Sequence, residues 1–165
     1  MTAYDISKLN ILVLEKHLLV RKLLTDVFRE FGVPTVQSTP HPDTAWEMFS
    51  QFPTDIILCD WNYSLDGMAF LRMVRQSPNT PNPFIPVIVV TANTELQHVC
   101  EARDTGMTEF LAKPVSARML YLRIISILEH HRTFIRTSQF FGPDRRRRQR
   151  QPKFMLADRR QNNVA

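Results

Sequence analysis

Four side chains that can carry chemistry each stand directly after, or at the end of, a short apolar run. They are Glu15, Asp60, Thr91 and Lys113. A carboxylate oxygen can attack a phosphoryl group and become an acyl phosphate. An ammonium group can neutralise the transferred oxygens, and a hydroxyl can hydrogen-bond them. Carboxylates can also hold a Mg²⁺ ion that keeps several of its waters. These residue types therefore suit phosphoryl chemistry, provided that the fold brings them together.

The sequence between these side chains alternates apolar runs with segments of helical period. The runs predict five strands, at Leu9–Leu14, Thr35–Ser38, Asp55–Asp60, Pro86–Ala92 and Glu109–Ala112. The helical segments predict helices at Leu18–Phe31, Pro42–Phe52, Gly67–Gln76 and Glu95–Asp104, and a last one from Ala117 that Ser116 caps.

Continuous apolar strands that alternate with helices predict an α/β fold with a doubly wound parallel sheet. Ligand sites of such sheets lie beyond the carboxyl ends of the strands, where the strand order reverses. The four side chains stand at those ends, so the fold is expected to gather them into one crevice.

Four segments in order resemble the receiver domains of response regulators in two-component signalling. These segments read ILVLEKHLLVRKLL, DIILCDWNYSLDG, PVIVVTA and EFLAKPVSARML, and together they span about three quarters of the chain. The resemblance implies a flavodoxin-like five-stranded sheet with the strand order 2-1-3-4-5. It also implies a single-domain response regulator that receives a phosphoryl group from a histidine kinase or a phosphotransfer protein.

Residue roles follow from the same resemblance. Asp60 would be the phosphoacceptor, Lys113 would pair with the phosphoryl oxygens, and Thr91 would hydrogen-bond them and shift on activation. Phe110 would be the aromatic switch residue, and Lys113–Pro114 would be a cis peptide bond. The Mg²⁺ ligands would be Glu15, Asp60 and the backbone carbonyl of Asn62.

Two departures from the family pattern concern the metal side of the site. Lys16 stands where receivers usually carry the second acidic residue, which normally contacts Mg²⁺ directly. The loop after Asp60 lacks the usual proline and is one residue short before Asp66–Gly67. We therefore expect weakened Mg²⁺ binding. The alternative function is that of a degenerate receiver, which binds partners without being phosphorylated.

The basic character of the chain lies in its last part. Residues 1–132 contain 12 Lys and Arg against 14 Asp and Glu, whereas residues 133–165 contain 9 against 2. The two cysteines form no disulfide framework, and no apolar run is long enough to span a membrane. We expect a cytoplasmic protein. The few glycines and the lack of a phosphate-binding loop or nucleophile elbow argue against an ordinary enzyme.

Helical spacing continues beyond the expected end of the last helix, as far as the break at Gly142–Pro143. It predicts an extended last helix that reaches about Gln139, with apolar residues that need cover from a partner or a second copy. A helix that ends near His131, followed by a loop that folds back on the body, is the alternative.

Three parts of the chain follow from these patterns. They are an N-terminal segment (1–8), the receiver (9–131), and a helix extension with a basic tail (132–165). The RRRRQR run at 145–150 is expected to be solvated or to contact an acidic neighbour. A regulator that binds nucleic acid through this tail is a further alternative, although specific recognition is not expected because no binding module accompanies the run.

Overall fold

A computed structural model of the chain describes residues 4–62 and 65–146. The central sheet in this part of the chain has five parallel strands in the order β2-β1-β3-β4-β5. The strands are β1 (Asn10–Leu14), β2 (Thr35–Thr39), β3 (Ile56–Asp60), β4 (Val87–Thr91) and β5 (Glu109–Ala112). Both the doubly wound parallel sheet and its strand order confirm the predicted fold class.

Helices cover both faces of this sheet. They are α1 (Leu18–Glu30), α2 (Pro42–Gln51), α3 (Gly67–Gln76), α4 (Leu96–Thr105) and α5 (Ala117–Glu129). Alternate strand residues point to opposite faces, which divides the core into two clusters. Leu12 and Cys59 lie in the cluster beneath α2, α3 and α4, whereas Val13 and Leu58 lie in the cluster beneath α1 and α5. This division explains why the strands are apolar without alternation.

Local signals in the sequence set several helix ends. The Ser116 hydroxyl accepts a hydrogen bond from the Met119 amide at 3.2 Å, as predicted for the cap of α5. The Asp66 carboxylate caps α3 in the same way, at 2.9 Å from the Ala69 amide. Gly106, with φ +105°, ends α4 in the left-handed conformation that favours glycine.

The prediction of an extended last helix is wrong. The helix α5 ends at Glu129, and the chain then forms an antiparallel hairpin of β6 (Phe134–Arg136) and β7 (Phe141–Pro143). An overhanging helix would leave the phenylalanines of this segment in water, whereas the hairpin packs them on the domain. The segment also contains Thr133, Ile135 and Thr137, and β-branched residues favour extended backbone. The alternative, a helix that ends near His131 with a fold-back, is the one that the structure supports.

An aromatic cluster joins the hairpin to the body. Phe84, from the loop before β4, lies 5.2 Å from Phe134 and 5.4 Å from Phe141, measured between ring centroids. The backbones also meet closely, because a Cβ on Gly142 would lie 2.7 Å from the Cα of Gly106. Since Phe140 and Phe141 are each only 8% exposed, these apolar residues have cover within the chain. The hairpin therefore removes the need for a second copy to cover these two rings, and a homodimer stays a prediction.

Most of the Arg-rich tail, residues 147–165, lies outside the described residues, so the expectations placed on it stay predictions. None of the helices in the described part of the chain is long and apolar enough to cross a membrane.

Candidate phosphoacceptor site

The ammonium of Lys113 joins two buried carboxylates at the carboxyl end of the sheet. Its Nζ lies 2.8 Å from Oδ1 of Asp60 and 2.7 Å from Oε2 of Glu15. The topology brings the three residues together, because β1 and β3 are neighbours in the sheet and β5 lies one strand beyond β3, on the far side of β4. Both carboxylates are only 1% exposed, while the lysine side chain is 17% exposed. The predicted crevice therefore exists, with one cation shared by two acids.

The other oxygen of each carboxylate also accepts a hydrogen bond. Oε1 of Glu15 accepts from the His17 amide at 2.8 Å. Oδ2 of Asp60 accepts from the side-chain amide of Asn62. All four carboxylate oxygens are thus engaged by N–H donors, which is how a protein stabilises charges that it buries.

Burial raises the pKa of the Asp60 carboxyl, and the charge of Glu15 adds to this effect. The hydrogen bonds from Lys113 and Asn62 oppose the increase. For Lys113, burial acts to lower the pKa, but the two carboxylates outweigh it and the pKa of the ammonium is raised. The lysine therefore stays protonated, and its positive charge lies beside the Asp60 carboxylate.

Close approach of α3 to the acceptor depends on Gly67. A Cβ at this position would lie 2.2 Å from the main-chain oxygen of Asp60 and 2.9 Å from Sγ of Cys59. No side chain fits in that space, so a glycine at residue 67 allows the first turn of α3 to pack against β3.

Thr91 belongs to a ring of contacts beside the acceptor. Its hydroxyl donates to the Trp61 carbonyl at 2.6 Å and accepts from the Asn93 amide at 3.0 Å. The Asn93 side chain lies 3.2 Å from Nε2 of His98. The His98 ring in turn packs edge-on against the Trp61 ring, with centroids 5.2 Å apart. The hydroxyl is thus linked to α4 by two routes.

Sequence reasoning found Thr91 but missed the other members of this ring. Sequence reasoning did not single out His98, yet its side chain is only 27% exposed and contacts both Trp61 and Asn93. A signal was available, because Asn93 stands two residues after the strand-end hydroxyl and Trp61 directly after the acceptor. The side-chain contact of Asn62 with Asp60 was also missed, because only the backbone carbonyl of Asn62 was considered.

The remaining predictions concern Phe110 and the peptide bond after Lys113. Phe110 is half-buried in β5, in register with Val89 of β4. The Lys113–Pro114 peptide bond is cis, as the resemblance implied. The structure does not bear on a switch role for Phe110, which stays a prediction.

The donor set in this geometry does not fit a Mg²⁺ ion well. Residue 16, where receivers usually carry a second acidic residue, is an exposed lysine. The Asn62 carbonyl accepts a hydrogen bond from the Leu65 amide at 3.2 Å. Within residues 4–62 and 65–146, no group of three or more His, Cys, Asp or Glu side chains is placed to hold a metal.

Comparison with known proteins decides the family. The sequence model of the response regulator receiver domain matches residues 11–125, which is most of the chain. The chain belongs to the response regulator receiver domain family.

The chain is similar to chemotaxis protein CheY of Pseudomonas aeruginosa, with 26% identity over 122 residues, 73% of the chain and 97% of that protein. It is 30% identical over 129 residues to the transcriptional regulator ycf29 of Cyanophora paradoxa, covering 78% of the chain and 60% of that protein.

Among solved structures, the receiver domain of the Arabidopsis thaliana histidine kinase CKI1, complexed with Mg²⁺ and BeF₃⁻, aligns with a TM-score of 0.65 and 22% identity. That alignment covers 74% of the chain and 91% of the CKI1 receiver. These likenesses support the fold of the receiver domain, and the β6–β7 hairpin lies beyond the residues that the family model matches.

Proposed function

We propose that the protein is a response regulator in which Asp60 accepts a phosphoryl group from a histidine kinase or a phosphotransfer protein. The observation that supports this most directly is the position of Lys113, whose ammonium contacts both Asp60 and Glu15. A receiver needs a nucleophilic carboxylate beside a fixed positive charge, and this pair provides both.

The transfer itself needs few groups. An oxygen of Asp60 forms a bond to phosphorus as the bond from phosphorus to the donor imidazole nitrogen breaks, and the imidazole leaves with that electron pair. If Oδ2 is the attacking oxygen, the Asn62 amide must first release it. Lys113 remains on the other side of the carboxylate and balances the charge of the phosphoryl oxygens.

Thr91 provides the link to signalling. Its hydroxyl donates to the Trp61 carbonyl in the structure. After phosphorylation, the same hydroxyl can donate instead to a phosphoryl oxygen on Asp60. That exchange would remove the donor from Trp61 and alter its contact with His98 on α4. Output would then reach partner proteins through surface changes near α4, β5 and α5.

The test is labelling of the full chain with acetyl phosphate, read by intact-protein mass spectrometry, in the presence and absence of Mg²⁺. The wild type should gain one phosphoryl group and Asp60→Asn none. Asp43→Asn is the matched control, because it removes an exposed carboxylate in the first turn of α2 and should label like the wild type. Labelling that persists in Asp60→Asn would contradict the proposal.

A specific observation also favours a second function, that of an interaction module without phosphotransfer. All four oxygens of Glu15 and Asp60 already accept hydrogen bonds, and Lys16 replaces the expected acid. Such a protein would not be labelled under any of the conditions above. Its binding to a partner would be equal in the wild type and in Asp60→Asn.

A further inference from the structure

A cavity of about 620 Å³ lies between the β6–β7 hairpin and the loop that follows α3. The body contributes Arg75, Ser77 and Thr80 to its wall, and the hairpin contributes Arg136 and Thr137. Its volume is within the range of small-molecule sites. The cavity depends on the hairpin, which lies beyond the residues matched by the receiver family model.

One of the residues that line this cavity, Arg75, is a buried arginine. Arg75 is only 2% exposed, and its guanidinium donates to the carbonyl oxygens of Gly106, Pro83 and Ile85 at 2.7 to 2.9 Å. Its Nη2 has no hydrogen-bond partner. Within the described residues no carboxylate pairs with this guanidinium, so three neutral carbonyls and the face of Phe134 are all that balance the charge.

The rest of the wall adds donors and no negative charge. Arg136 lies on the exposed side of the cavity, with its guanidinium 4.2 Å from the ring centre of Phe141. The hydroxyl oxygens of Ser77 and Thr137 accept main-chain amides, and each hydroxyl keeps its own proton to donate. None of the described residues that line the cavity is acidic. Two guanidinium groups and several hydroxyls around one space suit an oxyanion.

We propose that this cavity binds the phosphate group of a small phosphorylated molecule. The oxygens of a phosphate accept hydrogen bonds, and donors stand both on the hairpin, at Arg136 and Thr137, and on the loop after α3, at Ser77. The cavity is larger than a phosphate alone, so the remainder of the ligand would lie along the neutral polar wall and the edges of Phe140 and Phe141.

This site is separate from the acceptor site. Gly67, at the start of α3, packs against Asp60, whereas Arg75 lies eight residues later and thus about 12 Å along the helix axis. The proposal therefore does not rest on phosphorylation of Asp60. Tests in an Asp60→Asn background exclude covalent phosphorylation of residue 60, and amides of the hairpin report binding at the cavity rather than beside Lys113.

The experiment is an NMR titration of the full-length Asp60→Asn chain with inorganic phosphate, and with AMP against adenosine, at constant ionic strength. The amides of Thr137, Ser138 and Gln139 should shift saturably with phosphate and with AMP but not with adenosine. Absence of saturable shifts at the hairpin with both phosphate and AMP would overturn the proposal.

Matched variants distinguish a site from general charge attraction. Arg136→Gln should weaken phosphate binding by about fivefold, the effect of one partly exposed cation. Arg118→Gln, which removes an exposed arginine on α5, should leave binding unchanged. Arg75→Lys keeps the charge but loses the planar fork, and should weaken binding by more than Arg136→Gln while the circular dichroism stays native. Equal effects of Arg136→Gln and Arg118→Gln would overturn the proposal even if the Arg75 variant fails to fold.

Discussion

The Thr91 hydroxyl donates a 2.6 Å hydrogen bond to the main-chain carbonyl of Trp61, the residue directly after the acceptor. The same oxygen accepts the Asn93 amide, so one buried hydroxyl satisfies two main-chain groups from different loops. A buried polar group that loses its partner destabilises the fold. Thr91 is therefore important for the structure of the site, whether or not Asp60 is phosphorylated.

Replacing Thr91 by valine should destabilise the protein by about 2 kcal/mol, because the Trp61 carbonyl and the Asn93 amide would both lose their partner. Thr91→Ser is the control, since it keeps the hydroxyl and removes only a methyl group. Urea unfolding followed by tryptophan fluorescence measures both variants. If the valine variant were as stable as the serine variant, the two hydrogen bonds would contribute nothing to stability.

Much of the site could be predicted because it depends on strand ends. Apolar runs and helical spacing placed Asp60, Thr91 and Lys113 at or just after the ends of strands. In a parallel sheet the carboxyl ends of the strands lie at one edge, so these side chains are brought together there. What the sequence could not reveal are contacts whose partners lie far apart in the chain without a regular pattern. The burial of Arg75 depends on carbonyls from Pro83, Ile85 and Gly106, and no local signal marks an arginine for that environment.

The hairpin was missed for a related reason. Short apolar segments with Phe134 and Ile135 are compatible with a helix and with a strand, and periodicity alone does not separate the two. The outcome depends on tertiary partners, here Phe84 and Gly106, to which the hairpin packs. The expected break at Gly142–Pro143 was also wrong, because these two residues lie inside β7 rather than at a helix end.

Replacing Asp60 by asparagine should stabilise the fold at pH 7. Because the pKa of Asp60 is raised in the folded chain, chiefly by burial, the folded state holds the proton more tightly than the unfolded state. Stability then falls as the pH rises from the unfolded value, about 3.9, through the raised folded value. Asparagine cannot ionise, and the Asn62 amide can turn its oxygen toward the new NH₂ group.

We expect the free energy of unfolding of Asp60→Asn to exceed that of the wild type by about 1 kcal/mol at pH 7, with a smaller difference at pH 4. Urea unfolding at the two pH values measures this, with Asp43→Asn as an exposed control that should show no such gain. A variant less stable than the wild type at pH 7 would mean that the pairing of Asp60 with Lys113 outweighs the burial of its charge.

Restoring an acid at residue 16 should strengthen Mg²⁺ binding. Lys16→Asp would place a third carboxylate beside Glu15 and Asp60, and carboxylate oxygens are the protein ligands that Mg²⁺ prefers. We expect affinity to rise by at least about tenfold, measured by calorimetry with MgCl₂. Lys22→Asp makes the same change of charge at an exposed position in α1. Equal affinities of the two variants would show that only net charge matters.

Removing one ring of the hairpin should weaken the whole domain. Phe141 is 8% exposed and contacts Phe84 and Phe134, so Phe141→Ala should lower the free energy of unfolding by about 3 kcal/mol. Phe52→Ala is the control, because that ring is 49% exposed and its loss should change stability little.

Tryptophan fluorescence is the suitable signal, since Trp46 lies in α2 and Trp61 directly follows Asp60, both outside the hairpin. If the hairpin folded independently of the receiver domain, Phe141→Ala would leave the unfolding transition seen by tryptophan fluorescence unchanged. A shifted transition instead means that the packing of β7 against α3 and α4 stabilises the same unit that carries Asp60.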